Sequence, residues 1–94
     1  MRAFITLKTK MYHGTSQESA IKILKDGYFS HDTISCATQD KDFARGYGQW
    51  LVCFDYEYEI ELDRHFFENL RMFRAKGGMI GVSGDSYNNM AICK

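Results

Sequence analysis

From Trp50 to Leu62 the chain alternates without a break. Trp50, Val52, Phe54, Tyr56, Tyr58, Ile60 and Leu62 fall on one side, and Leu51, Cys53, Asp55, Glu57, Glu59 and Glu61 on the other. Successive side chains of a strand point to opposite faces, so this run predicts one long, half-buried strand with an apolar face and a mostly acidic face. A sequence of 94 residues has room for one domain over residues 1–94, and so short a chain buries a modest core with a small stability margin. The aromatic share of 15% is high, which suits a core built from a few large rings.

The rest of the chain is organised around that strand. After Asp63, a candidate cap, Phe66, Phe67, Leu70 and Phe73 recur at helical spacing, and Arg64, Arg71, Arg74 and Lys76 fill the positions between them. This predicts an amphipathic helix with a basic face. Gly77-Gly78 ends it, Met79 to Val82 reads as a strand, Ser83-Gly84-Asp85 as a turn and Tyr87 to Cys93 as a closing strand. Nearer the start, Met11-Tyr12-His13-Gly14-Thr15-Ser16 joins a strand to a helix. Thr15 and Glu18 have the spacing of a capping box, Ala20, Ile21, Ile23 and Leu24 form a short apolar face, and Gly27 supplies the left-handed stop. Short strands with helices between and beside them imply an α+β domain with a mixed or antiparallel sheet and two or three short helices.

Composition excludes several classes. Cys36, Cys53 and Cys93 are odd in number, widely spaced and without a Cys-x-x-Cys pair, so neither a disulfide framework nor a metal site is expected. They read as reduced thiols in strands, which points to the cytoplasm. Met1 to Leu7 is basic and apolar but too short for a signal-peptide core, and no segment approaches membrane-spanning length. Formal net charge is zero, yet residues 1–30 and 64–94 each carry five basic side chains against two acidic ones, while residues 31–63 carry two against eight. Such asymmetry suits a basic face for phosphates, an acidic face for a basic protein, or two solvated faces that attract each other.

The His13-Gly14-Thr15 turn before a short helix that ends at Gly27 resembles the ADP-ribosyltransferase superfamily, whose members open their NAD site with a His-Gly-Thr or His-Gly-Ser step. Ile34-Ser35-Cys36-Ala37-Thr38, followed by Asp42-Phe43-Ala44-Arg45-Gly46-Tyr47-Gly48, is similar to the family's second strand and helix. Tyr87 to Ile92 stands where the family has its last catalytic strand, so the resemblance spans residues 11 to 93. It implies two small sheets packed over a cleft. It also implies that His13 and the Gly14 backbone hold the nicotinamide ribose and amide of NAD, with Thr15 beside them and its hydroxyl committed to the helix cap.

Two positions depart from the family pattern. Ser35 stands where an aromatic is common, so a stacking ring would come from Tyr47 or Tyr12, unless both are core aromatics with a polar tip. Asn89 aligns with the catalytic Glu, and an amide keeps a hydrogen bond while losing the charge that faces an oxocarbenium-like transition state. Losing one preorganised electrostatic partner costs roughly 10² to 10³ in rate. Glu57, Glu59 or Glu61 would have to reach the site to restore the charge, and all three otherwise read as the solvated face of the long strand.

Three readings follow. The resemblance implies first a degenerate transferase with catalytic positions His13, Ser35 and Asn89 and cofactor-binding positions Tyr12, His13, Gly14, Thr15 and Tyr47. NAD binding is retained or lost, and the domain, of phage or mobile-element type, acts as an inhibitory protein that ties up a host protein such as a toxin or defence factor. RNA is a second expected partner through Arg64, His65, Arg71, Arg74 and Lys76, since the RNA 2'-phosphotransferases share the His-Gly-Thr turn. The second reading is an active mono-ADP-ribosyltransferase. The third is an interaction module whose His-Gly-Thr turn is only a helix cap.

Overall fold

The computed structural model describes residues 2–75 and 78–93, without the side chains of residues 73–75. The elements in chain order are β1 (Phe4–Thr15), α1 (Gln17–Asp26), β2 (Cys36–Ala37), α2 (Lys41–Arg45), β3 (Trp50–Glu61), α3 (Phe66–Ala75), β4 (Ile80–Gly81) and β5 (Asn88–Cys93). They form an α+β fold with a three-stranded sheet, β1-β3-β5, and a two-stranded sheet, β2-β4, both antiparallel. A single bridge between Tyr12 and Thr38 links the two sheets along the outer edge of β1.

β3 is the long alternating strand expected from the sequence, and β1 pairs with it over its full length, from Phe4 opposite Glu61 to Thr15 opposite Trp50. β5 covers only the first part of β3, from Leu51 to Asp55, with a bulge between Cys53 and Asp55. The remainder of β1 and β3 projects as a two-stranded ribbon, which gives the molecule its extents of 46 × 24 × 22 Å. Alternation on β3 is clean along the ribbon and fails at its base, where Leu51 and Cys53 are buried along with Val52 and Phe54. There β3 is the central strand of the larger sheet and is covered on both faces. Burial raises the Cys53 thiol to about 11, helped by its neighbour Cys93, so this cysteine stays protonated and packs as an apolar side chain.

α1 packs on the face of the larger sheet that carries Met11, Val52 and Phe54 and buries Ala20 and Ile23. Its cap differs by one residue from the Thr15–Glu18 box: Ser16 is the N-cap, with its hydroxyl accepting from the Ser19 N–H at 3.2 Å. Thr15 is still held in β1 by its pairing with Trp50, so the helix starts one residue later. Gly27 ends α1 at φ 80 as expected, in a left-handed conformation that costs glycine little. α2 begins one residue before the predicted start, where Asp40 caps the Phe43 N–H at 3.1 Å, and ends at Arg45.

The core is aromatic. Phe29, in the loop after α1, is fully buried and pinned by its backbone to the loop before β5, through Phe29 N–H to Asp85 O at 2.9 Å and Gly84 N–H to Phe29 O at 2.8 Å. Its ring meets Phe54 edge-on at 5.7 Å and His13 edge-on at 5.2 Å, while Tyr87 stacks on Phe54 at 4.2 Å. Burial and the neighbouring Asp85 push the Tyr87 hydroxyl up to about 12. In α3 the expected apolar set divides: Phe66 and Leu70 are half-buried, Phe67 is 81% exposed and does not join the core, and the Phe73 side chain lies outside the described residues. No helix among the described residues is long and apolar enough to cross a membrane.

Phe29→Ala is expected to destabilise the fold by about 3 to 5 kcal/mol, a large part of the roughly 5 to 15 kcal/mol typical of a domain. Phe67→Ser should shift stability by less than about 0.5 kcal/mol. Urea denaturation of the two variants checks both values.

Candidate functional site

β1 and β2 separate beyond the Tyr12–Thr38 bridge, and the gap is a cleft of about 200 Å³. Tyr12, His13 and Gly14 form one wall, Ser35 to Thr38 the second, and Phe43, Ala44 and Tyr47 the third, with Ile34 and Met79 at the rim. Tyr12, His13, Gly14, Ser35 and Tyr47, all expected at the site, therefore meet around one space. Thr15 lies just beyond it, in an adjoining polar depression of about 250 Å³ lined also by Ser19, Lys22, Asp26 and Asp32. His13 and Ser35 border both spaces.

The hydrogen bonds of β1 determine what the cleft offers. Tyr12 exchanges N–H and C=O bonds with Thr38, at 2.8 and 2.9 Å, so its peptide groups point away from β3 and toward β2. Backbone groups alternate in direction along an antiparallel strand, so those of His13 point to β3 and those of Gly14 point back to the β2 side. β2 makes no bridge at that level. The Gly14 N–H and C=O thus face the cleft as an adjacent donor and acceptor.

His13 is fixed by its ring. Its Nδ1 lies 2.8 Å from the Cys36 carbonyl oxygen, which can only accept, so Nδ1 carries the proton and Nε2 of the neutral ring is an acceptor. Phe29 packs edge-on against the ring, with centroids 5.2 Å apart. Ser35 is held through its backbone. The Ser83 hydroxyl accepts the Ser35 N–H at 2.7 Å and donates to Thr33 O at 2.7 Å, while Ser35 O accepts from Val82 N–H at 2.9 Å. Ser83 carries no sequence signal beyond that of a turn, and its role depends on contacts some 50 residues apart.

Gly14 also has a packing role. A Cβ at this position would collide with the Ala44 carbonyl of α2, and one at Gly48 would collide with the Thr15 backbone. The glycine lets α2 close against β1 and form the third wall of the cleft. Of the two candidate rings, Tyr12 is half-buried beneath the Lys41 ammonium, 5.9 Å from the ring centroid. Tyr47 is 71% exposed and meets Phe43 edge-on at 5.6 Å, so it is a rim aromatic and not a core one.

Asn89 is not part of this constellation. Its amide donates to Asp55 Oδ2 at 2.7 Å, and it lines a shallow surface with Lys8, Lys10 and Glu57. His13 stands opposite Val52, three residues from Asp55 on a regularly alternating strand, so His13 and Asp55 project from opposite faces. The closing strand pairs with β3, not with β2, which is the physical reason that its side chain misses the cleft. The element beside β2 is β4, and the residue it brings to the rim is Met79. Glu57, Glu59 and Glu61 do not reach the cleft either: Glu57 lies 3.7 Å from Lys8, and Glu61 takes both Nε and Nη2 of Arg2 at 2.8 and 3.0 Å. Glu59 sits exposed between them on the ribbon.

The expected nucleic-acid patch is described only in part. Arg64 donates from Nε to His65 Nε2 at 3.1 Å, and Arg71 is exposed on α3. The Arg74 side chain and Lys76 lie outside the described residues. α3 contacts β3, and none of its described side chains lines the cleft. No grouping of three or more metal-ligating side chains occurs among the described residues. Comparison with protein-family models, curated proteins and solved structures returns no match.

Gly14→Ala is expected to cost about 1 to 3 kcal/mol, as forced overpacking does, and to move α2 away from β1. Chemical denaturation and the amide shifts of residues 41–45 would report it. The Asn89 hydrogen bond, aided by Lys10, holds the Asp55 carboxyl below its ordinary value. A lowered carboxyl contributes stability above the ordinary carboxylate range and loses it as pH falls. Asn89→Ala should therefore raise the Asp55 titration midpoint toward the ordinary value, measured by NMR, and leave the cleft resonances unchanged.

Proposed function

We propose that the cleft binds a planar ring bearing a primary carboxamide, of the nicotinamide type, and that the protein works as a binding module and not as a transferase. The observation that carries this reading is the open N–H and C=O pair of Gly14 beside the His13 imidazole. A primary carboxamide presents one acceptor and two donors in a plane, and it satisfies such a pair with two hydrogen bonds at once. Phe43 and Tyr47 offer flanking rings, His13 Nε2 accepts from a ribose hydroxyl, and the Ser35 hydroxyl completes the polar lining.

The volume of the cleft suits a single ring, and the polar depression across His13 and Ser35 continues the surface to the scale of a larger ligand such as NAD. This fit supports kinship with the ADP-ribosyltransferase plan. The position that aligns with the family's acid, Asn89, is committed to Asp55 on the far face, and none of the described residues lining the cleft is a carboxylate. Without a carboxylate to face developing positive charge, binding without glycosidic cleavage follows. The exposed side chains of Ile34, Phe43, Tyr47 and Met79 around the opening favour a protein as the larger partner, consistent with an inhibitory role toward that protein.

Titration of ¹⁵N-labelled protein with nicotinamide and with NAD tests the reading. The expected result is saturable shifts at the His13, Gly14 and Ser35 amides, lost in His13→Ala, with no release of nicotinamide from NAD. Release that His13→Ala abolishes would make the protein a transferase or glycohydrolase instead. The absence of any shift at Gly14 at millimolar ligand would remove the carboxamide assignment.

A further inference from the structure

The larger sheet ends in two edges of different character. The outer edge of β1 carries Lys8 and Lys10, and part of it is occupied by the Thr38 bridge and by Gln39, whose amide donates to the Thr9 hydroxyl at 2.9 Å. Such charges and covers are the usual protection of an exposed edge. β5 has none: Asn88–Cys93 contains no charged residue and no proline, and none of the described loops or helices bonds to its outer backbone groups. An uncharged, unprotected edge is a pairing surface.

The direction of the hydrogen bonds defines how that edge can pair. Because Met11 and His13 bond toward β3, Phe54 and Val52 bond back toward β1, and Cys53 and Leu51 bond to β5. Opposite them, Ala91 and Cys93 face inward, so the N–H and C=O groups of Met90 and Ile92 point outward. Asn89, with φ 58, ends the regular part of the strand on one side.

We propose that a second copy of this chain occupies the edge, with β5 pairing antiparallel to β5 about a two-fold axis through Ala91. In that register Met90 of one copy exchanges both backbone hydrogen bonds with Ile92 of the other. Their half-buried side chains meet on the α1 side of the joined sheets. Ala91 faces its own counterpart at a non-hydrogen-bonded position, where the Cα atoms approach to roughly 4.5 Å and the two methyl groups lie side by side. No like charges are brought together, whereas pairing β1 with itself about Thr9 would set Lys8 against Lys10. The contact is isologous and closed, so it stops at a dimer.

Analytical ultracentrifugation of the full chain across micromolar concentrations tests this, together with two substitutions at the exposed Ala91. The expected result is a concentration-dependent dimer that becomes monomeric in Ala91→Lys, with an unchanged circular dichroism spectrum. Ala91→Cys should cross-link as a covalent dimer under mild oxidation, while the parent chain, whose Cys93 lies opposite Asn89 of the other copy, should not. A monomer at every concentration, or a dimer that survives Ala91→Lys while Ala91→Cys fails to cross-link, would overturn the proposal. If Ala91→Lys unfolds, the cross-linking result decides it.

Discussion

The antiparallel ladder between β1 and β3 determines almost everything else in this molecule. Its register assigns each side chain to a face and each peptide group to an edge, and neither can change without moving every other residue on the strand. His13 consequently shares the face of Val52, against Phe29 and α1, while Tyr12 turns its backbone to Thr38. Gly14 inherits its two roles from the same register. Its peptide groups open on the cleft, and its missing Cβ leaves room for the carbonyl of Ala44. A shift of one residue would bury Lys10 in the place of Met11 and separate the imidazole from Cys36.

Such dependence on one ladder is natural for so small a domain. The buried set is short, and its largest members, Phe29, Phe54 and Met11, are brought together by a loop, a central strand and the strand beside it. The cleft is built directly on that core, since the ring packed against Phe29 is the His13 imidazole. Site and stability therefore share residues, and the orientation of the imidazole in the cleft is a consequence of aromatic packing and one carbonyl acceptor. The charged side chains are distributed elsewhere. Lys8 with Glu57 and Lys10 with Asp55 are cross-strand pairs of β1 and β3, and Arg2, just before β1, reaches Glu61; all are solvated and of small energetic weight, and they account for much of the acidic face of β3.

The chemistry divides along the same lines. One face of the sheet and the β2 edge offer an imidazole, a hydroxyl, a paired amide donor and acceptor, and aromatic rings at the rim. The opposite face holds Asp55 and Asn89 in a hydrogen bond that lowers the carboxyl's pKa and occupies the amide.

Elements set by local rules were legible in the chain. The period of two from Trp50 onward defined β3, and Gly27 marked the end of α1, because alternation and a left-handed glycine act within a few residues. The first half of β1 was less legible, since Thr6, Thr9 and the lysines blur its apolar alternation. The cap lies one residue beyond Thr15, at Ser16, because pairing with Trp50, far along the chain, extends the strand through Thr15. His13, Gly14 and Ser35, singled out by the resemblance, do line one cleft. Met79, Ser83 and Ala44 were not singled out, because small or apolar residues acquire a role only from what they stand beside.

The sequence by itself determined the kinds of element, their order and the small, ring-rich core, since these depend on spacing and side-chain type. The tertiary structure alone decided which residues share a space. Contacts such as His13 to Cys36, Gly14 to Ala44 and Asn89 to Asp55 join segments 23 to 34 residues apart, in the hydrogen-bonded cases, and follow from strand order and register. The pairing of β5 with β3 instead of β2 sent the expected third catalytic residue to the far face, and no local pattern records which neighbour a strand will choose.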